Sequence, residues 1–415
     1  MGKKKIDGIG ITVKGGNNSL QLIGANKTKG IDAENRNFQT TIETDCGLAC
    51  QECSQYKNGL CYGCYNDCRQ GVRSCVSQDC TQPVTFVHDD ADATTEHGLC
   101  TLRCCKRTDI SEWLNDVSDG RGDDLSIKHI RWEPSSFPKM GRFLPSVNGH
   151  MENVYVPYVT LPVNYLYSEK TQRMRGGDKS VHEMYDLHPD TEVIVTGYCK
   201  DNVLESFWTN REREYLLHKI KAKGVKTLLG FNYSVYHKDP RMEHLVNMRR
   251  CFQIMDEAQK IGFKTIPDIC WHNSADMNQF IEWINKNKVS VVSTSMQCCR
   301  ENAYIAKYVY DLEYIASKCP DVKRWIINGP STPSRIRMFA ELFPKMVLMS
   351  SRAGQLAKYN MIWDFKCNEY VKCVKPDGSL LSRAEAFQIN CQFFEDVVAG
   401  VGLERFGEGY FGDDK

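Results

Sequence analysis

The chain has 415 residues, 41% of them hydrophobic and 25% charged, and its 53 Lys and Arg balance 52 Asp and Glu to a net charge of +1. Such a length accommodates a barrel of about 250 residues with an appendage, and the balanced charge argues against a chain-wide basic surface for nucleic acid. No run approaches the roughly 20 apolar residues of a membrane helix, and the opening MGKKKIDGIGITV lacks the apolar stretch of a secretory signal, so the expectation is a cytoplasmic protein with no membrane partner.

Residues 1–40 are rich in Gly, Asn and Lys and read as an N-terminal arm. Within them IGITVKGGNNSLQLIG predicts a hairpin, with strands at Ile11–Val13 and Leu20–Leu22 around a Gly-Asn turn.

Residues 41–108 form a cysteine-rich module. The stretch TDCGLACQECSQYKNGLCYGCYNDC holds Cys46, Cys50, Cys53, Cys61, Cys64 and Cys68, and Cys75, Cys80, Cys100, Cys104 and Cys105 follow. In a reducing compartment such density reads as metal ligation before disulfides. The C-x2-C pairs Cys50/Cys53 and Cys61/Cys64 each clip one side of a tetrahedral metal. Zinc and iron–sulfur clusters both take four thiolates, so the choice stays open. Apolar residues are sparse here, and the metal would supply the folding energy. The later cysteines suffice for a second site, with His88 or His97 as a candidate nitrogen ligand. Lys57, Arg69, Arg73, Arg103, Lys106 and Arg107 lie among the thiols, with Tyr56, Tyr62 and Tyr65. That mixture suits a zinc module gripping nucleic acid and is equally ordinary for a solvated metal knuckle.

Cys46, Cys50 and Cys53 have the C-x3-C-x2-C spacing, and IETDCGLACQEC is similar to the start of radical S-adenosylmethionine enzymes. That resemblance implies a [4Fe–4S] cluster on three thiolates, with S-adenosylmethionine on the open iron. Glu52 stands where those enzymes usually have an aromatic, and RGGDKS at 175–180 distantly echoes their Gly-Gly-Glu motif.

Residues 109–153 read as a linker. TDISEWLNDV is a short helix candidate with Thr108 or Asp109 as N-cap, DGRGDDLS is a turn, and PSSFPKMGRFLPS is extended. From 154 to 415 short β-branched runs alternate with amphipathic stretches. The runs are VYVPYVTL, EVIVTGY, VKTLLGFN, FKTIPDIC, VSVVSTSM, RWIING and KMVLMSS. Between them, REREYLLHKIKAKG and HLVNMRRCFQIMDEAQKIG end at Gly, as helices often do. Strand followed by helix, repeated, means parallel strands with helical crossovers. The predicted class is α/β, a (β/α) TIM-type barrel, complete or irregular, ending in a helical tail. An open doubly wound sheet is the alternative, without the G-x-G-x-x-G turn of dinucleotide-binding folds.

The segments LLGFNYSVYHKDPRMEHLVNMRRC, IGFKTIPDICW and VSVVSTSM resemble a family of bacterial and phage proteins known as domain-of-unknown-function family 4417. Tyr236, Asp239, Pro240, Pro267, Trp271, Ser293 and Thr294 match its pattern, and Asn232 stands where its first Asp would be. The resemblance covers about 155 to 350. It implies the barrel and brings no assigned reaction.

Chemistry in such barrels sits at the C-terminal ends of the strands. Asp268, His272, Asn232 and Arg352 are the catalytic candidates there. Alternation predicts Asp268, Cys270 and His272 on one side of their strand, where carboxylate and imidazole would share acid–base work. Cys199, Cys270, Cys298 and Cys299 also follow strand ends. They read as a second metal site, as free nucleophiles, or as small buried apolar residues. Cys251, Cys319, Cys367, Cys373 and Cys391 read as packing. Tyr233, Tyr236 and Trp271 would stack a planar ring, or Trp271 would pack beneath the adjacent helix. The expected function is a metal-cluster-containing barrel enzyme acting on a small planar or nucleic-acid-derived substrate. The alternative is a zinc-binding nucleic-acid-handling protein on a barrel scaffold.

Overall fold

A computed structural model describes residues 116–400 apart from 121–123, 148, 236–240, 298–301, 331–332, 365–368, 373 and 376, together with the backbone of three upstream strands. Those strands are β1 (Lys4–Ile6), β2 (Ile9–Val13) and β3 (Leu20–Ile23), antiparallel in that order. β2 and β3 are the predicted hairpin. The cysteine-rich module, with its expected metal and S-adenosylmethionine ligands, lies outside the described residues, as do Cys298 and Cys299.

The next elements are β4 (Phe143–Pro145), β5 (Tyr158–Pro162), the small hairpin β6 (Tyr167–Ser168) and β7 (Arg173–Met174), α1 (Val181–Tyr185), β8 (Glu192–Thr196), α2 (Asp201–Asn210) and α3 (Leu216–Ala222). Then come β9 (Thr227–Leu229), α4 (Arg241–Lys260), β10 (Lys264–Ile266), α5 (Ser274–Lys286), β11 (Val291–Ser295), α6 (Asn302–Lys318), β12 (Arg324–Asn328) and α7 (Pro333–Leu342). The chain closes with β13 (Met346–Ser350), α8 (Arg352–Lys358), the hairpin β14 (Met361–Asp364) and β15 (Glu369–Lys372), and α9 (Arg383–Ala399). α3 and α4 stop where expected, with Gly224 and Gly262 in the left-handed region at φ 87° and 90°.

The predicted α/β class with parallel strands holds. One four-stranded parallel sheet has the order β10-β9-β8-β5, and the other β11-β12-β13-β4. The parallel bridge Asp268↔Ser293 joins β10 to β11, with Ser293 N donating to Pro267 O at 2.8 Å and Ile269 N to Ser293 O at 2.9 Å. The bridge Ser146↔Thr160 joins β4 to β5, with Val147 N donating to Thr160 O at 2.8 Å.

Side chains alternate across these strands. One buried cluster takes at least one residue from each of the eight: Leu144, Tyr158, Ile194, Leu229, Ile266, Val291, Ile326, and Val347 with Met349, joined by Tyr198 past the end of β8. The neighbouring positions, such as Val159, Val193, Val195, Val292, Trp325, Ile327 and Leu348, belong to a second cluster shared with the helices.

The segment before β4, read as a linker, is built into this core. Phe137 and Met140 complete the first cluster, and Phe137 meets Tyr158 edge-on at 6.2 Å. Both lie at the N-terminal ends of the strands, where Lys264 also passes over the Phe137 ring. Upstream, the buried Arg249 guanidinium donates to the carbonyls of Val117, Ser118 and Ser126, and Trp283 Nε1 donates to Ile130 O at 3.0 Å. β4 itself is gripped from the far end of the chain: the Glu395 carboxylate on α9 accepts from Arg142 N at 2.7 Å and Phe143 N at 2.7 Å.

Phe137→Ala should destabilise the fold by about 3 kcal/mol, since it removes a buried ring and leaves a cavity between strand ends. Urea denaturation monitored by circular dichroism checks this, with native helix content retained in the absence of urea.

Candidate active site

Asp268 follows β10 in the phase of Ile266, so its side chain enters the space between the strands at their C-terminal ends. It is 1% exposed. Three donors from three other strands reach it. Tyr198, past the end of β8, gives its hydroxyl to Oδ1. Ser293 on β11 donates to the same oxygen at 3.0 Å, and Asn232, past β9, donates Nδ2 to Oδ2 at 2.7 Å. Gly230 makes the approach feasible, because a Cβ there would lie 2.1 Å from the Asp268 Cβ.

Burial and hydrogen bonding pull the carboxyl in opposite directions. Loss of water raises its pKa, the three donors lower it, and burial wins: the group is lifted from 3.8 to about 7. The Tyr198 phenol is pushed well above its ordinary 10.0 by burial first, then by the neighbouring Asp268. Asp268 therefore exchanges its proton near neutral pH while Tyr198 remains a donor. Further hydroxyl and carboxamide groups line the same layer. Ser146 and Thr160 hydroxyls meet at 2.5 Å, and Asn328 Nδ2 donates to Ser295 Oγ at 3.4 Å.

Of the predicted catalytic set, Asp268 and Asn232 come together. His272 and Arg352 lie elsewhere. The His272 ring rests against His244 of α4 at 4.2 Å between centroids, and its backbone N donates to Asp276 of α5 at 3.0 Å. Arg352 covers the Tyr370 ring of β15 at 5.0 Å. Alternation fails after Asp268 because strand pairing ends there. The chain turns at once into α5, whose N-cap Asn273 and Asp276 form a reciprocal capping box.

Cys270 accordingly packs against the helix-side cluster that includes Cys251 of α4. Cys199 packs against the helix-side cluster, and burial pushes its thiol up to about 12. The two do not meet, and among the described residues no three His, Cys, Asp or Glu side chains gather as a metal site would need. Trp271 takes the packing alternative: it stacks on Tyr308 of α6 at 5.1 Å and donates to Asp311. Tyr233 is buried, with the Arg250 guanidinium 4.0 Å above its ring. The 175–180 turn is held by Lys223 Nζ on the carbonyls of Gly177 and Lys179. Lys223 precedes β9, so this turn lies at the strand starts, away from Asp268.

Tyr198 and Ser293 were not among the predicted catalytic residues. The signal was available, since Tyr198 has the phase of Ile194 and Ser293 that of Val291 along strands with apolar inward positions.

The fold and these contacts define a parallel α/β protein with one ionisable carboxyl buried among neutral donors at the strand ends. Residues 174–323 match the family model described as Domain of unknown function (DUF4417). The match takes in Tyr198, Asn232, Asp268 and Ser293. No curated protein matches the chain. Among the described residues no helix is long and apolar enough to cross a membrane.

The Asp268 carboxyl binds its proton more tightly in the folded chain than in the unfolded one. Its stabilising contribution is complete below pH 3.8 and is lost as pH rises through about 7. Denaturation at a series of pH values should show wild-type stability falling across that window relative to Asp268→Asn, by on the order of a few kcal/mol. Above the window the amide variant should be the more stable protein.

Proposed function

We propose that the two sheets close into one eight-stranded (β/α) TIM-type barrel whose C-terminal mouth performs general acid–base chemistry on a small planar or nucleic-acid-derived substrate. The bonds at both seams support closure, as does the buried cluster to which all eight strands contribute. The observation that carries the acid–base reading is Asp268, held near neutrality by burial among Tyr198, Asn232 and Ser293. A group with a pKa near the working pH is the most effective proton donor and acceptor. Asn232 is half-buried and links the carboxyl to the mouth, where its amide would orient the substrate while Asp268 takes or returns the proton.

The cysteine-rich module enters this reading as a metal-holding appendage on Cys46, Cys50, Cys53, Cys61, Cys64 and Cys68, filled by zinc or an iron–sulfur cluster. Bound iron would supply electron-transfer chemistry, and with S-adenosylmethionine radical chemistry. Zinc would supply a fold and a surface for nucleic acid. The reduced thiols that either metal needs fit a cytoplasmic setting.

Two measurements test the reading. Carbon-13 NMR of the Asp carboxyls, with Asp268→Asn for assignment, should show Asp268 titrating near pH 7 and its signal moving when nucleosides or nucleobases are added. A carboxyl fully ionised by about pH 5 would remove the acid–base role. Anaerobic purification with metal and acid-labile sulfide analysis should find metal that the Cys50→Ser, Cys53→Ser double variant loses. A wild-type chain without metal would sink the module's assignment.

A further inference from the structure

We propose that Ser293 is a positioning residue with two settings: its hydroxyl donates to the Asp268 carboxylate while that group is ionised, and turns to the Pro267 carbonyl when it is protonated, so that the Ser293 oxygen accepts the Asp268 proton. This role rests on the acid–base reading of Asp268. A serine hydroxyl carries one hydrogen and two lone pairs. The Ser293 oxygen lies 3.0 Å from Asp268 Oδ1 and 3.2 Å from Pro267 O, and its single hydrogen serves one of them at a time. A carbonyl oxygen has two lone pairs. Ser293 N takes one of those on Pro267 at 2.8 Å, which leaves the other for the hydroxyl. The parallel bridge Asp268↔Ser293 fixes both acceptors in place, so the change is a rotation of one hydroxyl with no strand movement. Ser293 is fully buried, and bulk water does not compete for it.

Hydrogen-bond accounting singles out this serine. The ionised carboxyl is an acceptor only, and it takes Tyr198 and Ser293 at Oδ1 and Asn232 at Oδ2. Protonation makes it a donor, and a buried O–H without an acceptor is costly. At Oδ2 the neighbour is the Asn232 amide nitrogen, itself a donor. At Oδ1 the Ser293 oxygen becomes an acceptor as soon as its hydrogen leaves for Pro267. Of the three donors, Ser293 alone has a backbone carbonyl as second acceptor among the described residues. The step balances: one proton is added at Oδ1, no O–H bond of Ser293 breaks, the hydrogen bond between Ser293 and Asp268 reverses, and one to Pro267 replaces it. Tyr198 goes on donating to Oδ1. It is the one titratable group touching Asp268 among the described residues, and burial first, then Asp268 itself, keeps it neutral. Asp268 thus gains and gives up its proton without stranding a polar group in either state.

Triple-resonance NMR on the full chain tests this. The Pro267 carbonyl carbon is read through the Asp268 amide, beside the Asp268 carboxyl carbon, from about pH 5 to about pH 9. The carboxyl should titrate near pH 7, and the Pro267 carbon should move downfield on acidification with the same midpoint, as a carbonyl does on gaining a donor. In Ser293→Ala that downfield movement should vanish. The carboxyl midpoint should also rise by about one pH unit, because the ionised form loses a charge-assisted bond and the neutral form a weaker one. Ser293→Thr, which keeps the hydroxyl, should restore both. A carboxyl titrating near pH 7 beside a Pro267 carbon that stays still, or that moves equally in Ser293→Ala, would overturn the two-setting role and leave the acid–base reading standing. A carboxyl fully ionised by about pH 5 would remove both. The wild-type titration decides the matter even if the alanine variant folds poorly.

Discussion

A carboxyl taken out of water must be given donors or keep its proton. Asp268 does both by halves, and much of the surrounding architecture is arranged around that one requirement. Its partners come from β8, β9 and β11, so the donors assemble only when neighbouring strands are in register. Gly230 clears the space. Each strand of the middle of the fold is thereby answerable to one residue, and a slip by a single position would carry its donor to the helix side.

The opposite end of the strands is treated differently. Phe137 and Met140 fill it, and the segment that brings them there is pinned by the Arg249 guanidinium and the Trp283 indole. An apolar stopper at the strand starts and a polar layer at the strand ends give the inner space a direction. The apolar end supplies burial at about 25 cal/mol per Å², which offsets the cost of keeping an ionisable group dry at the other.

Much of this was legible in the residues, because alternation and helix endings are local. The runs from EVIVTGY to KMVLMSS became strands, and Asp268 and Asn232 were found together. β4 was read only as an extended stretch, since a three-residue strand ending in a proline carries no period to detect, and its pairing with β13 is a long-range choice. His272 and Cys270 were misplaced for a physical reason: the two-residue period holds only while a strand has a neighbour, and pairing stops at Asp268.

The grip of Glu395 on the amides of Arg142 and Phe143 spans 253 residues of sequence. During synthesis the chain emerges from its N-terminal side, so the amides at the start of β4 wait for a carboxylate made 253 residues later. β13, the strand that pairs with β4, is also late. Until β13 has emerged β4 lacks its flanking strand, and until α9 has followed it lacks its clamp, so the edge of the sheet stands open to other chains. A ribosome stalled within α9 would hold a chain with β4 still unclamped, the kind of species that chaperones and proteases recognise.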